Sequence, residues 1–276
     1  MTRRLATRTL FDTIAVLVFA VMLFPIYWMV TTALKPGKEI LSLTPVWFPS
    51  RVTLENFRDA MSLPFFWNDV VNSLIVVLTV VAISVALAFL AAVSVARFGF
   101  RGRSAFIVMV IAVQTVPLNA LVIPVYLLLN QVGQVDSLLG VIVYYLAIVL
   151  PFMVWTLRGF IANVPVDLEE AAMVDGATRV GAFLRIVFPL VAPGLVATAI
   201  YGFIQAWNEY IIAYVLLSSS SKQTLTIWLA SFTTQHGTDW GGLMAGATLT
   251  SIPVVVFFLL VQRRIAGGLT AGAVKG

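Results

Sequence analysis

Residues 70–96 read VVNSLIVVLTVVAISVALAFLAAVSVA, without a single charged side chain. As an α-helix rising about 1.5 Å per residue, the stretch is about 40 Å long, more than the roughly 30 Å of a bilayer's hydrocarbon core. It ends at once in Arg97-Phe98-Gly99-Phe100-Arg101-Gly102-Arg103, a basic segment that cannot follow it into lipid. The whole chain has the same character. Of its 276 residues 61% are hydrophobic and 11% charged, and mean hydropathy is +1.01. A soluble domain carries about 25% charged residues, so lipid must be the solvent for much of this surface.

Working outward, five further apolar runs appear. Upstream lies 10–34; downstream lie 105–129, 138–157, 189–217 and 243–261. The expectation is an all-α polytopic membrane protein, a single transmembrane domain over 1–276 with six transmembrane helices. The opening MTRRLATR has the basic character of a secretory signal, but the run behind it is too long and reaches Lys35-Pro36-Gly37 without a small-residue cleavage site. It is read as a retained helix. Residues 35–68, punctuated by Pro36, Pro45, Pro49 and Pro64, are read as an exterior loop with one short helix around 54–61.

Six spans place both termini on one side. Arg3, Arg4, Arg8, Arg97, Arg101, Arg103, Arg158, Arg179, Arg185, Arg263, Arg264 and Lys275 then share that side, against Lys35, Lys38, Arg51, Arg58 and Lys222 on the other. The richer set belongs to the cytoplasm, so both termini are expected to be cytoplasmic. This placement also accounts for the net charge of +5 without nucleic acid. Cysteine is absent and His236 is the single histidine, which excludes thiol chemistry and an imidazole-rich metal centre. His236 is read as a solvated residue of the last exterior loop. No glycine-rich loop ending in Gly-Lys-Ser/Thr is present, so nucleotide hydrolysis is not expected of this chain.

Polar residues inside spans are costly and face protein or water rather than acyl chains. Gln114 and Asn119 share the third run with Thr115, Pro117 and Pro124. Gln205, Trp207, Asn208, Glu209 and Tyr210 cluster towards the outer end of the fifth run. Amides beside aromatic rings suit a path for hydroxyl-rich solutes. Equally, proline is common in membrane helices, and Glu209 at a span's rim can simply reach the interface.

Residues 163–188, NVPVDLEEAAMVDGATRVGAFLRIVF, are not a simple connector. Pro165 can open a helix, and Asp167, Glu169 and Glu170 suit the positive end of its dipole. Gly176 can close it by a left-handed cap. Leu168, Ala171 and Ala172 give a small-residue face. Val180, Phe183, Leu184 and Val187 then share one face of a second amphipathic segment. Acidic first turns suit a negatively charged leaflet poorly, so a docking helix for a soluble partner is the preferred reading over one lying on lipid.

Glu170-Ala171-Ala172, Asp175-Gly176-Ala177, Phe183, Ile186, Pro189 and Pro193 together resemble the EAA loop of ABC importer permeases, with Phe188 where leucine is usual. Leu34-Lys35-Pro36, Glu55-Asn56-Phe57, Asn72-Ser73, Trp207-Asn208-Glu209-Tyr210, Gln262-Arg263 and the terminal Gly272-Ala273-Val274-Lys275-Gly276 are similar to the carbohydrate branch, of the shorter maltose-permease type. The resemblance implies a type I ABC importer permease fold in a bacterial inner membrane. It further implies a second homologous permease, two ATP-binding cassette ATPase subunits and an extracytoplasmic sugar-binding protein as partners. ATP and Mg would be used by the ATPases, with no cofactor on this chain. Glu169, Glu170, Ala171, Ala172, Asp175, Gly176 and Ala177, with Lys275 and Gly276, would meet the ATPase. Gln114, Asn119, Gln205, Trp207, Asn208, Glu209 and Tyr210 are the candidates for the solute path. A permease for a non-sugar solute is the nearest alternative. A secondary transporter would need ionisable groups near mid-membrane that these spans lack.

Overall fold

The protein is described by a computed structural model covering the backbone of residues 2–272 and the side chains of residues 10–117 and 120–262. Helices dominate: α1 (Thr2–Ala33), α2 (Gly37–Ile40), α3 (Glu55–Ser62), α4 (Phe66–Arg97), α5 (Arg103–Val113), α6 (Val122–Gln131) and α7 (Leu138–Ala162) come first. They are followed by α8 (Asp167–Val174), α9 (Arg179–Ala182), α10 (Phe188–Asn208), α11 (Ile211–Leu216), α12 (Leu225–Ala230) and α13 (Trp240–Gly272). A two-residue hairpin, β1 (Thr233–Thr234) with β2 (Gly237–Thr238), precedes α13.

Among the described residues five helical segments are long and apolar enough to cross a membrane: Leu10–Ala33, Phe66–Arg97, Leu138–Ala162, Arg179–Asn208 and Trp240–Gln262. The short helix expected near 54–61 is α3. The expected third span is not one helix. It divides into α5, a 3-10 turn at Leu118–Leu121, and α6, each too short to span alone. Pro117 is the cause: it lacks an N–H and takes an extended conformation ahead of the turn. The carbonyls freed at the end of α5 find local donors. The Gln114 amide donates to the Val110 oxygen (3.3 Å) and the Thr115 hydroxyl to the Ala112 oxygen (2.8 Å). Pro124 falls in the first turn of α6, where no donor is needed.

The fifth span is also redrawn. It starts earlier, at Arg179, and runs through a π-helical turn at Phe183–Val187 into α10. It stops at Asn208, so residues 211–216 form a separate helix.

The chain divides into two compact units, one formed by residues up to Phe66 with Trp228–Ile252, the other by Trp67–Ile227 with residues from Pro253. In the first, the Asn56 side chain donates to the carbonyls of Ala33 (2.8 Å) and Lys35 (2.9 Å), tying α3 to the end of α1. Lys35 is buried with its ammonium 4.2 Å from the Trp28 ring centre, and that burial holds its pKa below the ordinary lysine value against the pull of Glu39. Trp228 packs between Phe66 and Phe232. Residues 10–26 of α1, apolar but for Asp12 and Thr13, are exposed throughout.

In the second unit α7 packs on α10. A Cβ at Gly194 would come within 2.5 Å of the Phe160 ring, and one at Gly202 would touch Met153. Small residues allow this close approach, as is usual where helices associate without a hydrophobic drive. Between them, the buried Thr198 hydroxyl bonds back to the Gly194 oxygen (3.0 Å), so its polar group is satisfied within its own helix.

Candidate functional site

Two places concentrate the polar groups singled out in the sequence. The first is the loop around α8. Asp167, Glu170, Ala171 and Val174 are exposed at i, i+3, i+4 and i+7, one face of the helix, with Val174 87% exposed. The opposite face holds Glu169, only 8% exposed, whose carboxylate lies 2.6 Å from Nε of Arg97, the last residue of α4. The same guanidinium donates through Nη2 to the carbonyl of Val164 (2.9 Å). Ala172 and Met173 are half-buried beside Glu169. Two adjacent carboxylates thus have opposite fates: Glu169 is spent inside, Glu170 is presented outside.

The helix ends as its sequence predicts. Gly176 adopts φ +90°, the Gly176 N–H reaches the Met173 oxygen (3.1 Å) and the Ala177 N–H reaches the Ala172 oxygen (3.0 Å). This paired arrangement is the Schellman motif, and a left-handed residue there favours glycine. Asp175 beside it is exposed. Thr178 then caps α9 by accepting from the Gly181 N–H (3.1 Å). Between α8–α9 and the end of α4 lies a cavity of about 470 Å³, walled by Phe89, Val93, Phe98, Met173, Val180 and Phe183. Lys275 and Gly276 lie outside the described residues.

The second place is the end of α10. Tyr145, Gln205, Asn208 and Glu209 line one cavity of about 180 Å³ with Ile148 and Val149. Glu209 is heavily engaged. Its carboxylate accepts from the N–H groups of Ile212 (2.9 Å) and Ala213 (3.2 Å), capping α11, and from the Tyr145 hydroxyl (2.7 Å). Its carbonyl accepts from the Thr226 hydroxyl (3.0 Å). The break after Asn208 follows directly: the carboxylate starts a new helix instead of continuing the old one. Asn208 bonds back to the Ile204 oxygen (2.8 Å), and Gln205 donates to the Tyr201 hydroxyl (3.1 Å), itself stacked on Phe152.

Trp207 is not on this cavity wall. It is 7% exposed and stacked 5.5 Å from Phe203, which stacks in turn on Phe257. Tyr210 is exposed and stacked on Tyr214. Gln114 sits exposed at the end of α5, and the side chain of Asn119 lies outside the described residues. The structure therefore gathers Gln205, Asn208 and Glu209, and leaves Trp207 and Tyr210 on other surfaces.

Sequence reasoning passed over three residues that organise these places. Arg97 was visible only as one of the basic residues flanking a span. Tyr145, in the apolar run at 138–157, carried no signal of its own. Asp136 accepts from the Ser218 and Ser219 N–H groups (3.0 and 2.9 Å), the Ser219 hydroxyl (2.5 Å) and the Lys222 ammonium (3.1 Å). The Ser219 bonds, and then Lys222, hold its carboxyl well below the usual range. The Asn72-Ser73 pair acts nearby: Asn72 donates to the carbonyls of Ser221 and Gln223, and Ser73 accepts from the Leu225 N–H (2.7 Å). His236 is exposed at the hairpin, and no group of three or more metal-ligating side chains occurs among the described residues.

Comparison with known proteins places this geometry. Residues 84–270 match the family described as the inner membrane component of binding-protein-dependent transport systems. Over its whole length and the whole of the relative, the chain is 44% identical to the diacetylchitobiose uptake system permease protein of Streptomyces coelicolor. It is 37% identical to the trehalose transport system permease protein of Mycobacterium tuberculosis, over 94% of this chain and 95% of the other. It is 34% identical to the trehalose/maltose transport system permease protein of Thermococcus litoralis, over 95% of each. Among solved structures, a bacterial ABC transporter involved in alginate import superposes with a TM-score of 0.77 at 19% identity, over 94% of this chain and 96% of that one. That likeness gives the fold, the all-α type I importer permease. The chain belongs to the inner membrane components of binding-protein-dependent transport systems, the multi-pass ABC transporter permeases.

Proposed function

We propose that this chain is one permease subunit of an ATP-driven importer that carries a sugar, of di- or oligosaccharide size, into a bacterial cytoplasm. The observation that carries the coupling part is the bare outer face of α8, with Glu170, Ala171 and Val174 exposed beside a helix end fixed by Gly176. The names of its relatives, uptake permeases for diacetylchitobiose and for trehalose, support the sugar.

In this reading the chain is a single domain that supplies half of the translocation path; a homologous permease supplies the other half and covers the apolar α1. The split segment α5–α6 completes a sixth crossing, and both termini are cytoplasmic. Two ATPase subunits bind ATP and Mg, and α8 seats in one of them through Glu170, Ala171, Ala172, Asp175 and Ala177, with Lys275 and Gly276 adding to the contact. A binding protein delivers the sugar from outside. The chain performs no chemistry: closure of the ATPase pair moves α8, and the spans rock between outward- and inward-facing states. Gln205 and Asn208, on the wall of the polar cavity, would contact the sugar; Glu209 would chiefly shape the wall.

The test is purification of the tagged chain in mild detergent from its native host, with and without Gly176→Val. Recovery of a second permease and an ATPase in stoichiometric amounts with the wild type, and loss of the ATPase from the variant, is the expected result. Recovery of the wild type without an ATPase sinks the assignment.

A further inference from the structure

We propose that Arg97 is the positioning residue that passes motion of the α8 loop to α4. This rests on the reading that α8 is driven by an ATPase. Two ion pairs occur among the described residues. Lys222–Asp136 is solvated, with side chains 46% and 27% exposed, whereas Arg97–Glu169 has side chains only 10% and 11% exposed. Charges shielded from water interact far more strongly than surface pairs.

Arg97 makes two attachments. Its Nε meets Glu169 within α8, and its Nη2 meets the Val164 carbonyl, just ahead of Pro165. The arginine therefore grips both the entrance and the first turn of the docking segment, from the final residue of a 32-residue helix. Alongside this ion pair and this hydrogen bond, a cavity of about 470 Å³ lies between α4 and α8. Phe89 of α4 meets Phe183 and Phe188, beyond α9, not α8 itself. α8 also lies against the Phe183–Val187 turn that Phe89 touches, and the direct charged link from α8 to α4 is the arginine. Glu169 also neighbours Glu170, so a push on the exposed carboxylate is felt one peptide away by the buried one.

A buried ion pair is weak evidence of stabilisation, so the test must read transmission and not folding alone. The chain has no cysteine, which makes Val71→Cys its sole thiol. Val71 is 51% exposed near the far end of α4, about 39 Å from Arg97 along the helix. In the complete transporter reconstituted in proteoliposomes, the N-ethylmaleimide labelling rate of this thiol is measured with and without ATP. No solute has to be known. ATP is expected to change the rate in the Val71→Cys background. Arg97→Gln and Glu169→Gln are expected to reduce that change about tenfold while the ATPase stays bound in full amount. Arg97→Lys, keeping charge but not the fork, is expected to fall between. The exchange Arg97→Glu with Glu169→Arg restores the ion pair but leaves the Val164 carbonyl without its donor, so it is expected to recover part of the response.

The proposal is overturned if either glutamine variant responds to ATP like the background, or if the ATPase is lost in step with the response. It also fails if Arg97→Lys equals Arg97→Gln, or if a folded exchange variant recovers nothing. An ATP-independent rate before Arg97 is altered overturns it as well. Absence of an ATPase from the wild-type preparation is a different failure, that of the functional reading beneath it.

Discussion

Glu169-Glu170 at the start of α8 and Asn208-Glu209 at the end of α10 look alike on paper, each with a carboxylate beside a helix terminus. Their surroundings divide them. Around Glu209 each oxygen of the carboxylate is occupied by donors of the same chain, two backbone N–H groups and a phenol. Around α8 one carboxylate is occupied by Arg97 and the next is left in the open with a small residue and a bare valine. A polar group whose bonds are already made locally is architecture; one held out on a stiff, capped helix is available to another molecule.

The largest effect that would break this contrast is at Ala171. Ala171→Trp is expected to abolish co-purification of the ATPase while shifting Tm by no more than about 2 °C, because an exposed substitution rarely matters to folding. A bound ATPase would mean that the face is not a docking surface. At the other region the order of effects reverses. Glu209→Ala removes a cap and a charged acceptor together and is expected to cost about 3 kcal/mol, read by thermal unfolding in detergent. Tyr145→Phe removes one of those bonds and should cost about 1–2 kcal/mol. Unchanged unfolding in both variants would return Glu209 to the solute path.

The smallest effect is at Asp136, a third carboxylate that tests whether local occupation is what counts. Its folded pKa lies below the ordinary value, so its contribution is fully present above about pH 4 and is lost as pH falls through the depressed value. Asp136→Asn is expected to lower Tm by about 3 °C at neutral pH. The gap to wild type should stay level down to about pH 5 and close in stronger acid. A gap that persists in acid would assign the effect to shape and not charge.

Much of this was legible in the sequence, for physical reasons. Uninterrupted apolar length decides a membrane helix almost alone, so four spans fall close to where hydropathy puts them. Pro165 and Gly176 bracket α8 because proline and a left-handed glycine act through their own backbones. The failures share a cause. A proline's presence in 105–129 was plain, but whether it bends a helix or ends it depends on where the freed carbonyls find donors, and Gln114 and Thr115 supply them at once. Glu209 caps α11 while Tyr145, 64 residues earlier, also donates to its carboxylate, a partner no local pattern announces. Which wall Trp207 faces is likewise not written in its run: the ring stacks on Phe203 and borders a small cavity with Tyr145 and Glu209.

The close seat of Gly194 against Phe160 has a mechanical meaning. The run from Arg179 to Asn208 is a rod of about 45 Å, and Gly194 lies near its middle, about 22 Å from one tip and 21 Å from the other. A segment seated closely near its centre has arms of nearly equal length on either side. In the importer proposed above, a tilt about that seat would carry the Arg179 tip one way and Asn208 the other by nearly the same distance. Because the rod stops there and α11 is separately fastened by Glu209, the swing would be delivered to Asn208 and Gln205 without dragging the following loop along.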